Sequence, residues 1–191
     1  MASPRIIAGT ARGIRLKPVP GDTTRPVTDR VKEALFNILG ADVQGSSWLD
    51  LYGGTGSIGI EALSRGAKFV RFNDLNRQAV VTIRENLEKT RLSHGAEVFQ
   101  GDALALLRRR ADRQFDYVYV APPQYKGMWI DALAELDSNL SWLYDNSWVI
   151  VQIAPVEYQE QSLKNLELID DRQYGSTLLL FYEVKEGAVQ A

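Results

Sequence analysis

The feature that most constrains the fold is a glycine-rich turn between an apolar segment and a helix-forming segment, DLYGGTGSIG at positions 50–59. Gly54, Gly56 and Gly59 satisfy the pattern G-x-G-x-x-G, which lets the backbone approach a ligand closely and take turns that a Cβ resists. Such sites also favour an acid about twenty residues downstream, and Asp74 stands there. The turn therefore predicts a nucleoside site, against the alternative of a tight glycine turn without a ligand.

Short apolar segments alternate with helix-forming segments along most of the chain. Strands are predicted at Trp48–Tyr52, Lys68–Asn73, Ala96–Gln100, Phe115–Val120, Trp148–Ile153, Leu166–Asp170 and Thr177–Val184. Helices are predicted from a cap at Thr28 or Asp29 to about Leu39, at Ser57–Arg65, from a cap at Asn76 to about Arg91, at Ala103–Arg110 and at Met128–Asn139. This alternation is typical of an α/β fold, a mostly parallel seven-stranded sheet with helices on both faces. Because no clear helix separates the last two strands, the final strand is expected to run antiparallel.

The first forty residues predict a basic extension. Residues 1–40 hold seven Lys and Arg against three acids, whereas the whole chain has a net charge of −2. A small β-hairpin is expected from Arg5 to Lys17, ahead of the first helix. A basic arm on an acidic body indicates contact with an anion, against the alternative of a solvated face. We expect the 1–40 extension and a 41–191 domain to form one compact unit.

Three acids follow three successive predicted strands, at Asp50, Asp74 and Asp102. Ligands of such sheets bind at the carboxyl ends of the strands, so these acids are expected on one rim. Asp50 would repel a pyrophosphate and suits a ligand with an ammonium group, such as the amino-acid end of S-adenosylmethionine. Asp102 is expected to accept a hydrogen bond from an adenine amino group, to cap the following helix, or to do both.

The fourth predicted strand runs directly into two prolines, in the stretch YVYVAPPQYKGMW at positions 117–129. Together with DLYGGTGSIGIEALSRGA, Asp74 and Gly101-Asp102-Ala103, this loop resembles class I S-adenosylmethionine-dependent methyltransferases that modify exocyclic amines. The head, as we call the 1–40 extension, contains RIIAG and RPVTDRVKE, and the tail contains YGSTLLLFY. These segments are similar to those of bacterial enzymes that methylate guanine N2 in 16S ribosomal RNA, the RsmD type. The resemblance covers nearly the whole chain.

This resemblance implies a class I Rossmann-like fold, S-adenosylmethionine as cofactor and 16S ribosomal RNA, within a 30S particle or assembly intermediate, as partner. The implied cofactor-binding residues are Asp50, Tyr52, Gly54, Thr55, Gly56, Asp74, Leu75, Asp102 and Ala103. The implied catalytic residues are Ala121, Pro122, Pro123 and Tyr125. The implied RNA-binding residues are Arg5, Arg12, Arg15, Lys17, Arg25 and Arg30. For Arg25 and Arg30 the alternative is that they tie the head to the acidic body of the chain. No metal is required.

The loop departs from the family pattern, which reads Asp or Asn, then Pro-Pro, then Tyr or Phe. Ala121 stands at the position of the acid or amide that accepts the N–H bonds of the amine, and Gln124 stands at the aromatic position. The carbonyls of Ala121 and Pro122 are expected to hold the amine, with Gln124 or an acid from elsewhere as a further acceptor. Tyr125 is expected to contact the base. A shifted substrate and a non-catalytic RNA- or ribosome-binding protein are the alternatives.

The rest of the composition bears on the cellular compartment of the protein. Cysteine is absent, which excludes disulfides and thiolate sites and favours a reducing compartment. No apolar run has the length of a membrane span, and the start MASPRIIAGTARG lacks a secretory signal. We therefore expect a cytoplasmic protein, most simply a monomer. A nicotinamide-dependent oxidoreductase also fits the glycine turn and Asp74, but Asp50 disfavours it.

Overall fold

The computed structural model describes residues 3–21 and 27–188. They fall into two compact units, the first ending at Gly101 and the second beginning at Asp102. Within these ranges, no helix combines the length and the apolar character needed to cross a membrane.

The first unit contains the head and three parallel strands with their helices. Its elements are α1 (Asp29–Leu39), β1 (Ser47–Asp50), α2 (Ser57–Ser64), β2 (Phe69–Asp74), α3 (Arg77–Thr90) and β3 (Ala96–Gln100). β2 pairs in parallel with β1 on one side and with β3 on the other. The side chains of Thr28 and Asn76 cap α1 and α3 by accepting backbone N–H bonds, as is typical of residues that begin helices.

The predicted hairpin in the head is shorter than expected. It has one isolated antiparallel bridge, between Arg5 and Arg15, supported by hydrogen bonds between the backbones of Ile6 and Ile14 and of Gly13 and Ile6. Ile6 and Leu16 are each about 1% exposed. The segment is therefore held by two buried apolar side chains and a turn rather than by a regular ladder.

The second unit continues the alternation and closes with a hairpin. Its elements are α4 (Ala103–Leu107), β4 (Phe115–Val120), α5 (Met128–Ser138), β5 (Leu143–Ile153), β6 (Leu166–Tyr174) and β7 (Thr177–Val184). β4 and β5 are parallel, whereas β7 is antiparallel to both β5 and β6. The strand order of the sheet is β3-β2-β1-β4-β5-β7-β6. The predicted seven-stranded, mostly parallel sheet with a reversed final strand is confirmed.

Three of the element ends that differ from the sequence prediction do so because tertiary contacts override local polarity. β5 begins at Leu143, although Tyr144, Asp145 and Asn146 are exposed, because a register shift against β4 accommodates the polar residues. β6 extends to Tyr174 because it pairs with β7 along its full length. α4 ends at Leu107, whose carbonyl accepts hydrogen bonds from Asn139 and Trp142.

Candidate active site

The glycine turn after β1 is held by backbone hydrogen bonds. The Gly53 N–H donates to the Asn73 carbonyl of β2 at 2.8 Å, and the Gly56 N–H donates to the Gly53 carbonyl at 2.7 Å. Gly54 and Gly56 have φ values of 54° and 78°, in the left-handed region that favours glycine. A Cβ built at Gly54 would meet nothing within 4 Å. This part of the turn therefore presents its backbone to open space, where a ligand fits.

Asp50 lies under this turn, with only 2% of its surface exposed. Its carboxylate accepts the backbone N–H of Gly59 at 3.3 Å, which serves the first turn of α2 because Gly56, the residue before the helix, has no side chain to do so. Burial raises the pKa of the Asp50 carboxyl to about 7; the Gly59 bond opposes this rise and the charge of Asp74 adds to it. A cation bound beside Asp50 would favour the ionised carboxylate.

Asp74, at the end of β2, supports the same turn from the other side. One carboxylate oxygen accepts the Gly54 N–H and the other accepts the Asn76 N–H, each at 2.8 Å. Each oxygen keeps a second lone pair, so the carboxylate can still accept hydrogen bonds from ribose hydroxyls. The structure thus brings Asp50, Asp74 and the glycine turn together in the first unit, as predicted.

Of the other predicted cofactor residues, Leu75, Tyr52 and Thr55 lie in the first unit, whereas Asp102 and Ala103 begin the second. Leu75, directly after Asp74, is 67% exposed, an unusual degree for a large apolar side chain. Tyr52 and Thr55 are half-buried in the turn segment. Asp102 caps α4 by accepting the Ala105 N–H at 2.8 Å, which confirms its predicted capping role, and Ala103 is the buried first residue of that helix. The adenine role of Asp102 stays a prediction.

Asn86 on α3 is a site residue that the sequence did not indicate. It is fully buried, and its amide nitrogen donates to the carbonyls of Thr55 in the glycine turn, at 2.9 Å, and of Lys17 in the head, at 3.1 Å. Its amide oxygen accepts the Lys17 N–H at 2.7 Å. One side chain therefore links the glycine turn to the head, and the available signal was an amide side chain on the buried face of α3.

A buried ion pair also joins the head to α2. Lys32 on α1 and Glu61 on α2 both have fully buried side chains, and their charged groups lie 3.4 Å apart. The Glu61 carboxylate also accepts the N–H groups of Ile7, at 2.8 Å, and Ala8, at 3.0 Å, and a bond from Arg65 at 2.8 Å. Burial lowers the pKa of the Lys32 ammonium, and the Glu61 charge acts in the opposite direction.

Lys32 contacts the start of α2, the helix after the glycine turn, as well as the head. Its ammonium donates to the Arg5 carbonyl at 2.5 Å and to the Ser57 hydroxyl at 3.0 Å, and Ser57 is the first residue of α2. The sequence signal for this contact is a single acid, Glu61, inside the otherwise uncharged SIGIEALS. The head is consequently fixed to the same helix that follows the glycine turn.

The Pro-Pro loop lies in the second unit, between β4 and α5. Ala121 is half-buried, Pro122 is buried and Pro123 is exposed. Tyr125 is 71% exposed and has a φ of 63°, one of two positive values among the non-glycine residues described. Its N–H donates to a carboxylate oxygen of Glu157 at 2.6 Å. The exposed ring of Tyr125 is available to a base.

The cations of the head differ in how far they are neutralised. Arg5 contacts Asp29 at 2.6 Å and Lys17 contacts Glu85 at 3.0 Å. Arg12, Arg15 and Arg30 are exposed, and no acid in the described part of the chain lies within salt-bridge distance of them. Arg25 lies outside the described residues.

A small cleft in the head is next to two of these arginines. Its volume is about 260 Å³ and its lining includes Arg5, Arg12, Asp29 and Glu33. The mixture of cations and carboxylates gives this cleft no excess of positive charge. The exposed arginines rather than the cleft therefore provide the contacts that suit phosphate.

The first-unit site fits the chemical groups of S-adenosylmethionine. The buried Asp50 suits an ammonium group, Asp74 suits ribose hydroxyls and exposed Leu75 suits the face of a base. The segment from Asp50 to Gly59 contains no Lys or Arg, so it offers no cation to a phosphate. Across residues 3–21 and 27–188, no three His, Asp or Glu side chains gather in a way that could hold a metal ion.

Comparison with known proteins places this site in context. A family model described as Conserved hypothetical protein 95 matches residues 4–183. The Bacillus subtilis protein described as "Putative rRNA methyltransferase YlbH" is 34% identical over 181 residues, covering 94% of this chain and 98% of its own. Ribosomal RNA small subunit methyltransferase D from Haemophilus influenzae is 37% identical over 150 residues, covering 78% of this chain and 77% of its own.

The fold of a solved structure agrees with these sequence likenesses. The Escherichia coli protein described as "Putative methyltransferase yhhF" is 29% identical and has a TM-score of 0.85. The likeness covers 96% of this chain and 98% of that one. It therefore spans the head, the glycine turn and the Pro-Pro loop alike.

Proposed function

Since the chain belongs to the family described as Conserved hypothetical protein 95, we propose that it is a ribosomal RNA methyltransferase that uses S-adenosylmethionine. More finely, its substrate is the exocyclic N2 of a guanine in small-subunit RNA. The names of two relatives support the RNA as substrate, and both cover more than three quarters of this chain. The guanine N2 rests on the resemblance of the loop and head motifs.

The observation that most supports the proposal is a buried carboxylate beside a glycine turn that is open to solvent. Asp50 is 2% exposed, and the charge-favouring contact in its surroundings is the 3.3 Å bond from the Gly59 N–H. A buried acid with so little compensation is expected at a place where a ligand brings a cation. The ammonium of S-adenosylmethionine supplies that cation without a phosphate.

The residues of the first unit are assigned roles in holding the cofactor. Asp50 binds the ammonium group, the turn at Gly54 and Gly56 lies against the amino-acid end, and Asp74 accepts hydrogen bonds from the ribose. Leu75 covers one face of the adenine. Bound S-adenosylmethionine supplies a methyl group made electrophilic by its sulfonium.

The Pro-Pro loop is assigned to the acceptor. The guanine amine is a poor nucleophile because its lone pair is delocalised into the ring, so its orientation matters. The carbonyls of Ala121 and Pro122 accept its two N–H bonds, and proline rigidity keeps those carbonyls in place. Tyr125 stacks on the base, which its exposed ring supports. Transition-state contacts of the lost kind are worth roughly 3–4 kcal/mol, so Ala121 weakens transfer without abolishing it.

The head is assigned to the RNA backbone. Arg12, Arg15 and Arg30 contact phosphates, because they are exposed and carry no ion pair within the described ranges. Arg5 and Lys17 contribute less, since Asp29 and Glu85 already neutralise them. The unpaired cations make binding dependent on salt.

A second function is favoured by Ala121 alone. A protein that binds cofactor and ribosomal RNA without transferring a methyl group needs no acceptor side chain in the loop. The intact acids Asp50 and Asp74 argue against this alternative, because a protein that transfers no methyl group has little use for a cofactor site.

The experiment is radiolabelled methyl transfer to 30S particles from cells that lack the native enzyme, followed by mass spectrometry of the RNA. Label on a guanine N2 supports the proposal. Label on another atom refutes the finer assignment, and no label with intact binding of S-adenosylhomocysteine supports the non-catalytic alternative. Stabilisation by NAD instead of S-adenosylhomocysteine in a thermal shift assay refutes the cofactor. Ala121→Asp, which restores the family acceptor, is expected to raise turnover.

A further inference from the structure

We propose that Glu157 is a positioning residue that holds the Pro-Pro loop in the conformation used for methyl transfer. It supplies a polar contact to the loop from the turn after β5, whereas Ala121, within the loop, has no polar side chain. The inference rests on the proposed function. Glu157 follows β5 in a short turn, Pro155–Glu157, and was not indicated by the sequence pattern.

The contacts of Glu157 join the loops after two neighbouring strands. One carboxylate oxygen accepts the Tyr125 N–H at 2.6 Å, and the other accepts the Ala154 N–H at 3.1 Å. The Glu157 N–H in turn donates to the Ala154 carbonyl at 2.9 Å. β4 and β5 are paired in register up to Val120 and Val151. The carboxylate therefore ties the loop to a regular, buried part of the sheet.

The loop needs such an external acceptor. Pro122 and Pro123 have no backbone N–H, so they cannot donate to a neighbour that would hold them. Tyr125, two residues after Pro123, has a φ of 63°. A non-glycine residue stays in this left-handed region only when its surroundings hold it there. The 2.6 Å bond from its N–H to a charged acceptor is the contact in the structure that does so.

The loop conformation sets the positions of the groups assigned to the acceptor base, the Tyr125 ring and the loop carbonyls. The backbone direction at Tyr125 sets where its exposed ring points, and Gln124 and the two restricted prolines connect Tyr125 back to the Ala121 and Pro122 carbonyls. Glu157 acts through these groups and not on the base itself. Its loss is therefore expected to affect turnover on RNA, while the cofactor residues Asp50 and Asp74 remain as they are.

The test compares Glu157→Ala and Glu157→Gln with Glu160→Ala, an exposed acid three residues away for which the structure gives no contact. Glu157→Ala is expected to lower kcat for methyl transfer on the order of 10- to 100-fold, as a small misplacement of reacting groups does. Glu157→Gln keeps an acceptor for the Tyr125 N–H and is expected to recover part of this loss. S-Adenosylhomocysteine affinity and Tm are expected to match the wild type, and Glu160→Ala is expected to match it throughout.

Amide hydrogen exchange in the peptide 121–129 gives a readout that does not depend on activity. Faster exchange there in Glu157→Ala, and not in Glu160→Ala, supports the inference. Unchanged exchange, or a kcat within twofold of an active wild type, overturns it, and so does a loss of turnover accompanied by equal losses of Tm and cofactor affinity. A wild-type protein that transfers no methyl group refutes the proposed function, while the exchange rates still decide whether Glu157 holds the loop.

Discussion

Replacing Glu61 by glutamine is expected to destabilise the first unit far more than a single polar substitution usually does. Glu61 and Lys32 are both fully buried, and the glutamate accepts bonds from Ile7, Ala8 and Arg65 in addition to facing the lysine. Glutamine keeps the shape but removes the charge, so the Lys32 ammonium stays buried without compensation. Breaking a buried pair in this way costs about 3–5 kcal/mol.

This loss is large enough to measure by thermal unfolding. For a domain of this size each kcal/mol lowers Tm by about 2–4 °C, so Glu61→Gln is expected to lower Tm by roughly 6–20 °C. The matched control is Glu85→Gln, whose partner Lys17 and whose own side chain are 55% and 45% exposed. Such exposed pairs contribute about 0–1 kcal/mol, so the control is expected to shift Tm by a few degrees at most.

A double variant tests the cause of the loss. Lys32→Met together with Glu61→Gln removes the uncompensated charge, so it is expected to be more stable than Glu61→Gln alone. If Glu61→Gln shifts Tm no more than Glu85→Gln does, the buried pair does not hold the head and the reasoning is wrong. A double variant less stable than the single one would show that the Lys32 bonds to the Arg5 carbonyl and to Ser57 outweigh the cost of its uncompensated charge.

Three further predictions follow from the site. The pKa of Asp50 is raised to about 7 from 3.8, so its contribution to stability is present at low pH and is lost as the pH rises through 7. Cofactor affinity, measured by calorimetry, is expected to rise up to about pH 7 and then level off, because the ionised carboxylate binds the ammonium group. Asp50→Asn is expected to remove this pH dependence. Gly9→Ala is expected to cost about 1–3 kcal/mol more than Gly13→Ala in urea unfolding, because both glycines have positive φ but only the Cβ at Gly9 collides with the Ser64 carbonyl, at 1.7 Å. Equal losses would refute the close approach. Tyr125→Leu is expected to weaken RNA binding by about 1–3 kcal/mol, the value of one stacked base, with cofactor affinity unchanged; an unchanged RNA KM would remove Tyr125 from the base contact.

The elements that the sequence predicted well are those with strong local patterns. The glycine turn stands between β1 and α2 as expected, and the apolar segments of β2, β3 and β4 became strands within a residue of the predicted bounds. The family resemblance and the reversed final strand were also confirmed. The roles of the individual site residues stay predictions.

The elements that the sequence predicted poorly depend on partners far along the chain. The head has one bridge instead of two strands, and β5 starts five residues early, because packing and pairing outweighed the polar character of residues 144–146. For the same reason the sequence did not indicate the contacts of Glu61 and Glu157. Glu61 accepts the N–H of Ile7, 54 residues away, and Glu157 accepts the N–H of Tyr125, 32 residues away.

The sequence by itself determined the α/β alternation, the place of the ligand turn and the acids at the strand ends, since these follow from periodicity and turn chemistry within short windows. Only the tertiary structure decided that Asp50 is buried with a raised pKa, that Lys32 and Glu61 form a buried ion pair between α1 and α2, and that Glu157 accepts the Tyr125 N–H. Burial and the choice of hydrogen-bond partner are properties of the assembled chain, because a polar side chain can meet any group that folding brings within about 3 Å.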